Sequence, residues 1–176
     1  YELLKATMFG FGYPNYGVAL LLKEEATGKI FLQRVKITGS NAKPRILEIF
    51  KDEVIGLPGI PTVSALPLNG PEYMFFAVDK NVYCLDLNNI TKPVTLYKSF
   101  DANVVAMNAE SETYSCAHMA VGLENGEFYI LMIYGAKNLS EEEKVIYPKH
   151  GAAYPAEERM GRIVDIKYKQ LNHWNY

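Results

Sequence analysis

The stretch from Tyr73 to Leu87 constrains the fold most, because it contains two apolar runs joined at Asp79, Lys80 and Asn81. Asp and Asn tolerate the backbone angles of tight turns, so the stretch predicts a β-hairpin. The first run is apolar on both sides: one side would carry Tyr73, Phe75 and Ala77, and the other Met74, Phe76 and Val78. A hairpin that is apolar on both faces belongs in the middle of a stack of sheets.

The same hairpin pattern occurs twice more. Residues 118–133 contain two apolar runs around Glu124-Asn125-Gly126, and residues 17–32 contain two around a turn from Glu24 to Gly28. Alignment of the hairpins on three aromatic residues gives spacings of 83 − 31 = 52 and 129 − 83 = 46 residues, for Phe31, Tyr83 and Tyr129. Repeats of about 40–50 residues with four strands each are typical of β-propeller blades. The sequence predicts an all-β, propeller-like fold, with a β-sandwich of the same strands as the alternative.

The repeat predicts three four-stranded antiparallel blades, at residues 17–51, 62–98 and 103–147, followed by a terminal strand at 162–168. A polar turn is expected at 38–44, and residues 3–9 are also compatible with a strand. Charges at both ends and in the middle of the predicted outer strand, 45–51, are typical of edge strands that avoid pairing with other chains. We expect residues 1–176 to form one domain of a longer chain, because three blades do not close a ring.

The hairpins supply the predicted core. Deleting a buried Phe side chain costs about 3–5 kcal/mol, so these residues would dominate stability. The residues expected to be buried are Leu20, Leu22, Phe31, Phe75, Val78, Tyr83, Leu85, Val121, Phe128, Ile130 and Met132.

Composition excludes several functional classes. The net charge is −2 and the Lys and Arg residues are scattered, so no basic field favours nucleic acid. No apolar run approaches the roughly 18 residues of a membrane helix. The two cysteines, Cys84 and Cys116, are expected to be buried free thiols, with a disulfide between neighbouring blades as the alternative.

The sequence carries no recognisable catalytic or metal-binding motif. The three histidines, His118, His150 and His173, share no ligand spacing, and the Glu141–Glu143 run fits a solvated turn. We therefore predict a non-enzymatic protein with no metal and no cofactor. Carboxylates that meet only in space leave a glycosidase open as an alternative. Aromatic residues of predicted loops and of the tail are the candidate binding residues: Tyr13, Tyr16, Tyr147, Tyr154, Trp174 and Tyr176.

Three segments resemble the C-terminal region of the PKD-like family of Bacteroidota surface lipoproteins. They are Asn81–Asp86, Gly126–Tyr129 and Gly161–Tyr168, and the resemblance covers roughly residues 60–170. It implies a propeller-like region of a protein encoded beside SusC/SusD-type outer-membrane nutrient importers. It also implies a lipid anchor on a cysteine outside this stretch and a location at the outer membrane and cell surface. The family supplies no catalytic residue.

The resemblance and the missing motifs together suggest a function. We expect a non-enzymatic accessory lipoprotein of a SusC/SusD-like complex that imports peptides or glycans. Its partners would be the transporter subunits or another lipoprotein, with peptide or glycan as further candidate ligands and no nucleic acid. The alternative is a stand-alone carbohydrate-binding or glycan-degrading propeller, which needs a pocket where aromatics and carboxylates converge.

Overall fold

The computed structural model describes residues 1–10, 16–40, 43–66, 73–113 and 116–134 of the chain. Within these ranges the protein is all-β, and its strands form three antiparallel sheets. Each sheet is a meander, because its strands lie side by side in the order in which the chain makes them. The all-β prediction is therefore confirmed, and the hairpins lie in three separate sheets.

Sheet 1 has four strands and the two longest strands of the described chain. Its second strand is flanked by the first and the third, and the fourth forms one edge. Irregular pairing occurs between Leu3 and Lys5 and between Arg34 and Val35. The strands are β1 (Glu2–Gly10), β2 (Tyr16–Lys23), β3 (Ile30–Ser40) and β4 (Lys43–Glu53).

Sheet 2 contains the hairpin that dominates the sequence. Its turn at Asp79 and Lys80 places Asp79 at φ 52°, a left-handed conformation that Asp tolerates better than most residues. The strands are β5 (Val63–Ala65), β6 (Tyr73–Val78), β7 (Asn81–Asp86) and β8 (Thr95–Ser99). Phe75 pairs with Cys84 and Phe76 with Tyr83, so neighbouring phenylalanines lie on opposite faces of the sheet.

Sheet 3 has three strands in the described part of the chain, and its second hairpin turns at Asn125 and Gly126. Gly126 has φ 86°, a conformation that glycine adopts at little steric cost. The strands are β9 (Val104–Thr113), β10 (Cys116–Leu123) and β11 (Phe128–Tyr134).

Sheet 2 lies between the other two sheets, and a separate hydrophobic cluster forms on each of its faces. Met74 and Phe76 pack with Leu21 and Leu32 of sheet 1. Phe75 and the other residues on its face of sheet 2 pack against sheet 3. Their cluster also contains Ala77, Val82, Val104, Met119, Val121 and Leu131. The prediction that this hairpin is covered on both faces is confirmed.

The first predicted blade is wrong at its beginning. Sheet 1 starts at Glu2 and not at residue 17, because Glu2–Gly10 pairs with β2 as a fourth strand. The expected polar turn at 38–44 is largely strand, since β3 runs to Ser40 and β4 begins at Lys43. The second blade was predicted closely: residues 62–98 correspond to a sheet from Val63 to Ser99.

The core prediction is correct for five residues and wrong for four. Leu22, Phe75, Val78, Leu85 and Val121 are buried. Leu20 and Phe31, on the face of sheet 1 turned away from sheet 2, are half-buried, and Tyr83 and Phe128 are half-buried as well. The side chains of Ile130 and Met132, and the predicted strands after residue 134, lie outside the described part of the structure.

Candidate functional site

The face of sheet 1 that points away from sheet 2 is mainly apolar on its first three strands and carries charged residues on β4. On β2 and β3, Ala19, Leu21, Ile30 and Leu32 point toward sheet 2, so the alternate residues point the other way. We call this side the open face. Pairing across the four strands places on it Leu3, Ala6, Val18, Leu20, Leu22, Phe31, Gln33, Val35, Ile37 and Ile46, together with the charged residues Lys51 and Glu53 of β4.

Most side chains of the open face are half-buried or exposed, and Leu22 is buried. Neither hydrophobic cluster of the described residues includes them. Ile46 is 70% exposed and Leu3 57% exposed, whereas Leu21, one residue along the chain from Leu20 on the opposite face, is 2% exposed. Exposed apolar side chains that form a large patch are typical of interaction sites, so this face is the candidate surface.

An aromatic corner closes one end of the open face. The rings of Tyr1 and Phe31 meet edge to face, with centroids 5.6 Å apart and planes at 88°. The Lys51 Nζ lies 3.4 Å from the Tyr1 ring centroid and 5.7 Å from that of Phe31. A lysine over an aromatic face is held by the ring quadrupole, so this corner combines apolar area with a positive charge.

Glu24, at the β2–β3 turn, holds the hydroxyl group of Tyr1. The Tyr1 hydroxyl donates to Glu24 Oε1 at 2.9 Å, and the Thr27 hydroxyl donates to Glu24 Oε2 at 2.5 Å. These two hydrogen bonds, from Thr27 and then Tyr1, lower the pKa of Glu24 below its ordinary value. Glu24 is therefore a carboxylate at neutral pH and positions the tyrosine ring over Phe31.

A second cluster lies where the first strands of the sheets meet. Lys5 of β1 donates its Nζ to the Ser64 carbonyl of β5 at 2.6 Å. The Thr62 hydroxyl lies 3.3 Å from both the Ala77 and Val104 carbonyl oxygens, and Val104 begins β9. The Ser64 hydroxyl is buried and has no hydrogen-bond partner among the residues that the structure describes. These contacts connect β1 to β5 through the Lys5 side chain, and the start of β5 to β9 through Thr62.

Cys84 and Tyr97 occupy the side of sheet 2 that faces sheet 3. Cys84 is a free thiol, and the Tyr97 ring meets that of Phe75 at 5.1 Å. Burial, and next the charge of Asp86, raise the pKa of Cys84 to about 12. Burial and then Cys84 raise the pKa of Tyr97. Both groups are thus protonated at neutral pH, and a protonated thiol is a poor nucleophile.

The structure does not test the predicted aromatic site. Tyr13, Tyr147, Tyr154, Trp174 and Tyr176 lie outside the described residues. Tyr16 begins β2, and its backbone pairs with Gly10 and Ile37. Its side chain is not among those that the structure describes. The open face was not predicted from the sequence, although the apolar residues on both sides of β2 contain the signal for it.

Two further features concern possible ligands and membranes. Across the ranges that the structure covers, no group of three or more His, Cys, Asp or Glu side chains could hold a metal ion. Over the same residues, no helix is long and apolar enough to span a bilayer.

Comparison of the chain with known protein families found no matching family model, and comparison with curated proteins found no match.

Proposed function

We propose that this chain is a non-enzymatic protein-binding module of an accessory surface lipoprotein. Its partner is a SusC/SusD-type outer-membrane complex that imports peptides or glycans, or another lipoprotein of that complex. The observation that carries the binding role is the open face of sheet 1, where apolar side chains such as Leu3 and Ile46 remain exposed. Stable protein contacts bury roughly 1,000 Å² or more around an apolar centre, and an exposed sheet face suits that need.

The proposal includes a finer fold: the three sheets are consecutive blades of a β-propeller. Three observations support it. Each sheet is a meander, sheet 2 packs face to face with both neighbours, and the first strands lie together through Lys5–Ser64 and Thr62–Val104. In a propeller the first strand of each blade lines the central axis, and the fourth lies at the rim. The exposed residues Ile46 of β4 and Leu96 of β8 fit rim positions.

The proposed cellular setting comes from the resemblance to the PKD-like lipoproteins. It places the module at the cell surface, anchored to the outer membrane by a lipid outside this stretch. The half-buried Cys84 does not fit a lipidated residue, because lipidation requires an accessible thiol. The anchor in this proposal therefore belongs to another part of the longer chain.

Affinity capture from detergent-solubilised outer membranes of a Bacteroidota source tests the function. The native protein should recover a SusC/SusD-type pair. Leu3→Lys places a charge on the open face and should abolish that recovery. Leu96→Lys places the same charge on an exposed leucine of β8, 59% exposed, and should leave it unchanged.

Two results would overturn the proposal. One is recovery of the native protein alone, together with glycan turnover by the purified protein, which would indicate the glycan-degrading alternative. The other is equal recovery of the transporter by both variants, which would place the contact away from the open face. Circular dichroism of each variant checks that the sheets remain folded.

A further inference from the structure

In the described part of the chain strand β4 forms an edge of sheet 1, and two of its apolar side chains are exposed there. It spans Lys43–Glu53 and pairs only with β3 in the described part of the chain. Ile46 is 70% exposed and Leu47 53% exposed, and they lie on opposite faces of the sheet. An edge strand of this length offers a row of backbone donors and acceptors to another strand.

The side chains of β4 that face the sheet 2 side follow a self-complementary order. On β3, Thr38, Lys36, Arg34 and Leu32 are two residues apart and share one face. Their partners on β4 are Arg45, Leu47, Phe50 and Asp52 in that order, because the register shifts between Arg34 and Val35. The order along this face of β4 is thus basic, apolar, apolar, acidic.

We propose that β4 pairs with β4 of a second copy of this chain, antiparallel and about a twofold axis. A register in which paired residue numbers sum to 97 sets Arg45 opposite Asp52 (45 + 52) and Leu47 opposite Phe50 (47 + 50). Each contact occurs twice, as a twofold axis requires. On the other face of the sheet the same register sets Ile46 opposite the stem of Lys51 (46 + 51). The two copies of sheet 1 become one continuous eight-stranded sheet.

The charges of β4 select this arrangement over others. Parallel pairing in register would set Arg45 against Arg45 and Asp52 against Asp52, and like charges directly opposite are destabilising. Antiparallel pairing sets the basic end of one strand against the acidic end of the other. The charges that discourage pairing with foreign strands therefore favour the strand's own copy.

Sedimentation velocity of the full chain, from about 1 μM to about 1 mM, tests the proposal. The wild type should be a dimer that dissociates on dilution. Arg45→Asp and Asp52→Arg each create two like-charge pairs and should raise the dimer dissociation constant about tenfold. The double variant R45D/D52R restores opposite charges and should return the constant to within about threefold of the wild-type value.

Substitutions of exposed leucines provide the apolar arm of the test. Leu47→Asp should give a monomer, whereas Leu96→Lys, at the edge of sheet 2, should leave the dimer intact. A wild type that is monomeric at every concentration would overturn the proposal. The proposal would also be overturned if Leu3→Lys dissociated the dimer and Arg45→Asp left it unchanged. The second copy would then bind at the open face. Failure of the double variant to recover would overturn the register.

Discussion

Sheets 1 and 2 are built from the same meander of four strands, yet among the described residues a hydrophobic cluster forms on both faces of sheet 2 and on one face of sheet 1. In sheet 2, Phe75 and Phe76 are adjacent in sequence, point to opposite faces and are both 0% exposed. In sheet 1, Leu21 is buried and its neighbour Leu20 is half-buried. An apolar pattern on both faces of a hairpin thus predicts that both faces suit contact with other apolar groups. The position of each sheet in the stack determines which of its faces packs against another sheet of the same chain.

The largest expected difference between the two sheets comes from truncating one phenylalanine in each. Phe75→Ala should lower the free energy of unfolding by about 3–5 kcal/mol, because the ring is fully buried and leaves a cavity. Phe31→Ala, on the half-buried open face, should cost about 1–2 kcal/mol. Urea unfolding followed by tyrosine fluorescence measures both. Equal losses would show that the open face is as fully packed as the centre of the stack.

A second contrast uses two glycines with left-handed backbones. Gly56, in the connection from sheet 1 to sheet 2, has φ 84°, and a Cβ there would lie 3.1 Å from the Pro93 Cβ. Gly28, in the β2–β3 turn, has φ 73° and no heavy atom within 4 Å of such a Cβ. Gly56→Ala should therefore cost about 2 kcal/mol and Gly28→Ala about 1 kcal/mol. Thermal unfolding of the pair isolates the steric contribution, and a larger loss at Gly28 would contradict the packing at Pro93.

The smallest predicted effect is a pH dependence that arises in sheet 2. The Cys84 thiol ionises near 9.0 in the unfolded chain and at about 12 in the folded protein. Between these values the folded state keeps a proton that the unfolded state has lost, so this contribution is full below pH 9 and falls as pH rises. The free energy of unfolding of the wild type relative to Cys84→Ala should drop by about 1 kcal/mol from pH 8 to pH 10.

Urea unfolding of both proteins at pH 8, 9 and 10 makes the measurement. Tyr97 is present in both, and burial, the larger cause of its raised pKa, is common to the two profiles. Parallel profiles would show that the thiol is accessible to water in the folded state.

Local sequence patterns predicted the parts of the fold that local residues determine. Asp79 and Asn81 at one turn and Asn125 and Gly126 at another identified both hairpins, because those residues tolerate tight-turn angles. Strand β1 was not included in the first predicted blade. Its pairing with β2 is interrupted between Leu3 and Lys5, and this irregularity breaks the alternation by which strands are recognised. The length of β3 and β4 was also missed, since Thr38 and Ser40 read as turn residues but pair with Arg45 and Lys43.

The candidate surface was harder to predict than the fold. Leu20 and Leu21 are the same residue type, and only the position of sheet 2 makes one of them core and the other surface. The contact between Tyr1, Phe31 and Lys51 joins three strands or strand ends distant in sequence, so no spacing rule could find it. The sequence instead favoured aromatic residues in loops, and those remain predictions.

The turn at Asp79 and Lys80 has a consequence for the order in which the protein folds. Its two carbonyl oxygens accept hydrogen bonds from the backbone N–H groups of Val104 and Phe100, both at 2.9 Å. The first strand of sheet 3 is thus anchored on a turn that exists only once the β6–β7 hairpin has closed. Hairpins close in microseconds, and a growing chain leaves the ribosome far more slowly. We expect the β6–β7 hairpin to serve as the template for the first strand of sheet 3, which the ribosome releases after it.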